Sequence, residues 1–582
     1  MLRKRKKKPS DASNQQKPLR LLPGIIIVVL QWLLWRALPA AVPDDTVMML
    51  GVFGGLLCGL AVVVWWAFFS RAPRIERWGA IIFMIFALFV TSRFLHESIA
   101  TGNMGFMFII HAIPVMSLAF VVWAVATSRL SNKLRRLTMF ATILVVCFGW
   151  TLIRSEGITG GGGAEFTWRW AETHEERLLA QTSDESMEIP IAPEATETRA
   201  LWPGFRGPNR DGIVRGVRIE TDWSASPPVE LWHRPIGPGC SSFAVSGAFL
   251  YTQEQRGDHE VVACYNMTTG KPVWRHSDSA RFWDSHAGAG PRGTPTLRDG
   301  RVYTFGATGI LNVLDARDGA RLWSRNAASD TDTEIPNWGF TSSPLVVNDA
   351  VIVAVEGTLV AYDLDSGDLR WSRSNDGTSY SSPHLLTIDG VEQIVLMSEV
   401  GATSVAPADG KLLWEHAWPG GDRIVQPALT ADGDILINSG GTELCIRRIT
   451  ITQGTDRWNI EEQWTSRGLK PNHNDFVVHE GYAYGFNGPR LACIDVEDGK
   501  RMWQGGRYGG QLLLLSEQDL LLVLSEKGEL ALVSAVPDKL NELARIPAIK
   551  GKTWNHPVLA GDILVVRNSQ EMAAFRLSLK DN

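Results

Sequence analysis

The chain predicts an all-β eight-bladed β-propeller with four-stranded blades, preceded by an α-helical membrane domain of about five transmembrane helices. Three observations lead there. Look-alike segments in the second half close on Trp274, Trp323, Trp371, Trp414, Trp464 and Trp503, and Trp232 opens the series. Their spacing, roughly 40 to 50 residues, suits a propeller blade. Five apolar stretches fill the first third, each approaching the ~20 residues that cross a bilayer.

Residues 1–20 form a basic tail, with RKRKKK at Arg3–Lys8. A true span follows with no small-residue cleavage site, so the tail predicts an anchor and not a cleaved signal peptide. The membrane domain covers residues 21–154, with spans at Leu21–Ala41, Val47–Ser70, Gly79–Leu95, Gly105–Ala126 and Leu137–Ile153. The third and fifth are short. Arg71, Arg74 and Arg77 fall between spans two and three; Arg129, Lys133, Arg135 and Arg136 fall between four and five. The positive-inside rule then places the N-terminus in the cytoplasm. Five crossings deliver the rest to the far side, the periplasm of a bacterium, from an inner-membrane anchor. Arg36, Arg93, His96, Glu97 and His111 lie near the outer ends of their spans. Ionisable groups there read either as a quinone or haem site or as snorkelling side chains.

Residues 155–200 predict a flexible acidic linker, with a Gly160–Gly163 hinge and a short helix at Glu175–Gln181. WPGFRGPNRDG, Trp202–Gly212, predicts a fixed loop packed on the propeller. No strand–loop–helix frame surrounds it, which argues against a phosphate loop.

The propeller covers residues 201–582. Its unit is clearest at Pro344–Val347, Ala350–Val355, Thr358–Asp363 and Asp368–Trp371, short runs joined by Asn, Asp and Gly turns. An Asp-x-x-x-Gly turn recurs as Asp315 with Gly319, Asp363 with Gly367 and Asp495 with Gly499, and Gly270 and Gly410 hold the same place. The Gly supplies positive φ, the Asp accepts backbone N–H groups, and the Trp packs between blades. All of these are scaffold. Gly510–Ile546 is a seventh repeat without its Trp, and His556–Leu577 has room for only about three strands. Glu230–Ile236, carrying Trp232, is an orphan fourth strand that completes blade eight and removes both sheet edges. Seven blades is the alternative if the copy ending at Trp464 is misread.

The net charge is −5, of which the first twenty residues hold eight Lys/Arg against one Asp. An acidic remainder is a poor partner for nucleic acid. Of six cysteines, Cys58 and Cys147 lie in spans, while Cys264, Cys445 and Cys493 fall at equivalent third-strand positions of separate blades. No disulfide framework and no metal site are expected.

VLDARDGARLW, AYDLDSGDLRW and CIDVEDGKRMW resemble the pyrroloquinoline-quinone (PQQ) propeller repeat, across roughly Trp202–Leu577. The resemblance implies one of two branches. One oxidises alcohols or sugars with PQQ and Ca²⁺. The other is non-catalytic, like the BamB lipoprotein propeller of the outer-membrane barrel assembly machinery. Membrane-bound glucose dehydrogenases of the first branch also join five spans to eight blades. This propeller is near the minimum length for eight blades, which leaves no room for the insertions that build a cofactor funnel.

Inter-blade loops hold the candidate site residues. The early ones are Arg281, Trp283, His286, Arg292, Trp338, Tyr380 and Arg423. The later ones are Asn472, His473, Asn474, Asp475, Tyr508, Lys552, Trp554 and His556. Arg292 or Lys552 could hold a cofactor carboxylate, Asp475 could act as a base, and Trp338 or Trp554 could stack on a flat ring beside His556. The same residues suit a wet channel or a peptide-docking rim. The expectation is a non-catalytic scaffold without cofactor, binding a protein or cell-envelope partner. A PQQ- and Ca²⁺-dependent dehydrogenase feeding membrane quinone is the alternative, and a ligand sensor ranks third.

Overall fold

The computed structural model describes residues 19–42, 45–158, 163–182, 200–375, 377–440 and 445–580. The expected tail at Arg3–Lys8, hinge residues Gly160–Gly162 and linker residues 183–199 lie outside these. The chain divides into two compact units between Ala171 and Glu172.

The first unit has five helices long and apolar enough to cross a membrane: Leu22–Ala41, Val47–Phe69, Arg74–Ser92, Met107–Ala126 and Asn132–Thr151. The third and fifth are full-length, at 19 and 20 residues, not short. Both begin earlier than hydropathy suggests, so Arg74, Arg77, Lys133, Arg135 and Arg136 are helical and not in loops. Charge compensation explains this. Glu76, 1% exposed, sits in the first turn of the third helix, where a carboxylate suits the helix dipole. It pairs with Arg135 and, at 3.2 Å, with Arg136 from the fifth helix.

The histidines of this unit take separate partners. His96 Nδ1 accepts from Ser98 N at 3.2 Å, whereas His111 lies 2.9 Å from the Met107 carbonyl and packs edge-on against Trp35 and Phe166. Arg36 lies over the Trp35 ring and Arg93 over the Phe89 ring.

The second unit is an eight-bladed propeller. Blades 1 to 4 run Ala244–Asp278, Thr296–Asn326, Leu345–Ser374 and His384–Ala417. Blades 5 to 7 run Ala428–Ser466, Val477–Gly505 and Gln511–Pro547. Blade 8 takes three strands from Val558–Arg576 and its fourth from Val229–Pro235, with Trp232 opposite Ala574. Inner strands such as Ala350–Val355 are buried throughout, while outermost strands such as Leu369–Ser374 alternate with solvent.

The repeat residues join neighbouring blades. The indole N–H groups of Trp232, Trp274, Trp323 and Trp371 donate to Met267, Ala316, Leu364 and Pro407 of the next blade, at 2.8–3.2 Å. Trp464 and Trp503 do the same to Val496 and Val536. Trp414 instead donates to Gln393 of its own blade. Each ring lies over the turn glycine of the following blade where one exists. Trp232 covers Gly270, Trp274 covers Gly319, Trp323 covers Gly367, Trp371 covers Gly410 and Trp464 covers Gly499. Gly319, Gly367 and Gly499 all have the positive φ expected of them, at +73°, +73° and +70°. Asp363 accepts the Asp365 and Ser366 N–H groups in the same turn as Gly367. A Cβ on Gly410 would stand 2.6 Å from Trp371, at a φ of +67°. Gly410→Ala is therefore expected to cost about 1–3 kcal/mol, read as a lower melting temperature.

Cysteine placement differs from the sequence reading. Cys264 and Cys493 stand opposite Trp274 and Trp503, but Arg448 holds that place opposite Trp464. Cys445 precedes its strand, because the last hairpin of blade 5, Ile446–Gln453 with Trp458–Ser466, is longer. All six cysteines are free.

Glu260 of blade 1 reaches blade 2, accepting from Ala307 N at 3.0 Å and Thr308 Oγ1 at 3.1 Å. Burial pushes its carboxyl up to about 7. The folded state therefore holds this proton more tightly than the unfolded chain, whose value is about 4.3. Stability is full below that unfolded value and falls as pH rises through 7. Glu260→Gln keeps both contacts. It is expected to stabilise by up to about 3 kcal/mol at pH 8 and by nothing at pH 4, measured by thermal melts.

Candidate functional site: the central cavity

The segment Trp202–Val214 crosses the middle of the ring. Trp202 bridges to Val245 of blade 1, and Pro203 accepts from Leu297 of blade 2. Arg210 donates to the Ser343 and Pro344 carbonyls at the start of blade 3. Arg206 donates to Phe476 O of blade 6 at 2.7 Å, and Ile213–Val214 pairs in parallel with blade 7. Arg206 and Arg210 both have positive φ, near +60°, which non-glycine residues adopt only when their surroundings hold them there. The loop expected to pack on the propeller thus packs across the centre of its ring.

Above this segment lies a cavity of about 340 Å³. A ring of eight residues, one per blade, stands where the innermost strands begin, and all but Ser242 line the cavity. The members are Ser242, Thr294, Ser343, Ser382, Gln426, Asp475, Gln511 and His556. The backbone N–H groups of Ser242, Thr294, Ser343, Ser382, Gln426 and Asp475 reach the side chain of the next blade, that of Gln426 meeting Asp475 at 3.5 Å. Ser242 N donates to Thr294, Thr294 N to Ser343 and Ser343 N to Ser382, at 2.9–3.0 Å. Ser382 N donates to the Gln426 amide oxygen at 3.1 Å, and Asp475 N to Gln511 at 3.1 Å. Ser242 Oγ donates to His556 O at 2.6 Å. Five members precede a proline: Thr294, Ser343, Ser382, Gln426 and His556. A residue before proline is pushed to extended backbone, which aims its N–H across the inter-blade gap. This x-Pro recurrence is itself a sequence signal for the ring, separate from the Trp repeat.

Asp475 and His556 are the ring's ionisable members. Asp475 Oδ2 lies 3.0 Å from His556 Nε2 and 3.4 Å from Arg206 Nε. Burial alone would raise this carboxyl, but Arg206 and His556 together hold it below its ordinary value. Such a carboxylate is a weak base.

The other expected residues divide. His286, Arg292, Trp338, Tyr380, His473 and Trp554 line the cavity, and exposed Asn472 marks its mouth. Arg292 is engaged by Asp284 and by the Gly288 and Ala289 carbonyls. Lys552 Nζ donates to His286 O at 2.6 Å and lies 4.1 Å over the Trp554 ring. Trp338 packs on Tyr380 with centroids 4.7 Å apart, and His473 on Trp554 at 4.8 Å. Burial and Lys552 push the His473 imidazole down, favouring its neutral form.

Arg281, Trp283, Arg423, Asn474, Tyr508 and Lys552 do not line the cavity, Lys552 standing behind His286 and Trp554. Arg281 pairs with Glu175 at 2.9 Å, and Arg423 donates to the Trp418 carbonyl. Asn474 donates to Gly509 and Gly510, and Tyr508 to Glu542. The turn glycines Gly270, Gly319, Gly367, Gly410 and Gly499 also stand outside the lining, under their tryptophans at the outer strands. Phe205, Cys240, Asp284, Ala287, Thr341 and Ile424 also line it, without having been expected. Phe205 comes from the crossing segment, whose path local sequence does not encode.

Residues 221–384, 258–505 and 391–581 match the family model described as outer membrane protein assembly factor BamB, together more than half of the chain. The protein of that name from Shewanella oneidensis is 23% identical over 389 residues, 61% of this chain and 88% of the relative. Quinohemoprotein alcohol dehydrogenase ADH-IIG of Pseudomonas putida is 29% identical over 145 residues, 23% of this chain and 19% of that enzyme. The solved structure of BamB from Moraxella catarrhalis is similar with a TM-score of 0.45 and 14% identity, over 60% of this chain and 100% of that one.

Proposed function

This chain belongs to the family described as outer membrane protein assembly factor BamB, built of PQQ-like repeats, and on that premise we propose a membrane-anchored, non-catalytic scaffold of the bacterial cell envelope. In this reading residues 21–154 anchor the protein in the inner membrane, and residues 155–200 link them to a periplasmic propeller. The basic residues at the starts of the third and fifth helices support a cytoplasmic N-terminus.

The observation that carries the reading is the internal pairing of charge at the cavity. Asp475 is held by Arg206 and His556, Arg292 by Asp284, and Lys552 by a backbone carbonyl. PQQ is a tricarboxylate and needs cations free to meet it, and Ca²⁺ needs several oxygen ligands. The lining residues do not fit that pair. Among the described residues, one trio of His, Asp and Glu comes close enough to share an ion: His479, Glu480 and Asp519, away from the cavity lining. What the propeller offers a partner is its outside. Leu322, Leu369, Met502 and Leu543 stand exposed on outermost strands, which suits strand addition.

Two measurements test this. Alkaline phosphatase fused after Asn582 is expected to be active and after Ser128 inactive; the opposite pattern would reverse the topology. Photo-cross-linkers at Leu322 or Met502 are expected to trap an envelope protein in cells. No adduct from either position, or PQQ-dependent dye reduction by the purified protein, would overturn the scaffold.

A further inference from the structure

We propose that the central cavity binds an uncharged, polyhydroxylated ring of pyranose size, without oxidising it. This site goes beyond the scaffold role and would operate alongside it.

Charge comes first. The carboxylates and cations at the cavity already meet each other or backbone groups, as described above. A charged ligand would bring an unpaired charge against a mainly apolar lining, at a cost that neutral ligands avoid.

Shape comes second. Trp338 with Tyr380 stands before blades 3 and 4, and Trp554 with His473 before blades 8 and 6. His286 lies 5.9 Å from Trp338 and its carbonyl accepts from Lys552, which lies over Trp554, so the two pairs are linked in one aromatic stretch of the cavity wall. Phe205 closes the floor, its ring packed edge-on to His556 at 5.1 Å. A pyranose has two C–H faces that such rings cover.

Polarity comes third. The hydroxyls of Thr294, Ser343 and Ser382 border the same space. Each accepts one backbone N–H of the ring and keeps its own proton and a second lone pair, so it can donate and accept, as a sugar's rim of hydroxyls needs. The volume, about 340 Å³, lies at the small end of ordinary ligand pockets and suits one or two sugar rings.

The ligand could be a free sugar or the end of an envelope glycan. Saturation-transfer NMR and calorimetry on the full chain, held in amphipol free of sugar-headed detergent, would use four probes: glucose, N-acetylglucosamine, its β1,4-linked tetramer, and PQQ. Saturable binding of at least one sugar is expected, weakened about tenfold or more by Trp338→Ala and largely kept by Trp338→Phe. Tighter binding of the tetramer than of the monomer would point to a glycan chain, and equal binding to a single ring. Thermal melts check that each variant folds, and Asn472→Ala at the mouth gives a second, fold-neutral probe, also expected to weaken binding. No saturation by any of the three sugars, binding unaffected by both Trp338→Ala and Asn472→Ala, or preferential binding of PQQ would overturn the proposal. The cross-linking of a protein partner is read separately, so failure here leaves the scaffold test intact.

Discussion

Replacing Asp475 by alanine is expected to destabilise the propeller by about 3–5 kcal/mol, because it strands a buried cation. The Arg206 side chain is 2% exposed, and Asp475 is its carboxylate partner at 3.4 Å. Without Asp475 the guanidinium retains the Phe476 and Asp211 carbonyls but no compensating charge. The strained backbone at Arg206 would then have less to hold it. Asp475→Asn keeps the shape and is expected to lose less, about 1–3 kcal/mol. Adding Arg206→Met to Asp475→Ala should restore part of the loss. Purely additive losses in chemical denaturation would show that the pair is not coupled.

The same pair predicts a pH response. The folded Asp475 value lies below the unfolded one of about 3.9. Its contribution is therefore complete above about pH 4 and is lost as pH falls through the folded value. The melting temperature of Asp475→Asn should converge on that of the parent protein in acid, and a constant gap would contradict the pairing.

Arg567→Ala is the second large effect, again about 3–5 kcal/mol, and it should fall on the closure of the ring. Arg567 is wholly buried in blade 8 and reaches into blade 1. It donates to Thr252 Oγ1 at 2.6 Å, Gln253 O at 2.9 Å and Gly237 O at 3.0 Å. Burial pushes the guanidinium down to about 10, so it stays charged at neutral pH. Alanine leaves those acceptors without a donor and opens a cavity. Hydrogen exchange should accelerate in Val229–Pro235 and Phe249–Arg256 before it does in blades 3 and 4. Uniform acceleration would mean that the seam has no special part in opening. Arg567→Lys should rescue little, since one ammonium cannot span the positions that a planar fork reaches.

Much of this protein was legible in its residues. The tryptophan period, the turn glycines and the orphan strand at Trp232 determined eight blades and their closure, because strand pairing and turn chemistry are local and repeat in every blade. Hydropathy determined five membrane-length helices. It misplaced the starts of the third and fifth, because the neutralising partner of Glu76 lies about 60 residues along the chain. Of the cavity, the sequence supplied the loops and the aromatic and basic residues they carry. Tertiary structure decided which of them meet. It laid Trp202–Val214 across the ring, joined Asp475 to both Arg206 and His556, and turned Arg423 and Tyr508 away. Those outcomes rest on contacts between residues up to some 300 positions apart, and no local pattern records them. The repeat determined the scaffold, and long-range charge pairing decided what its centre can hold.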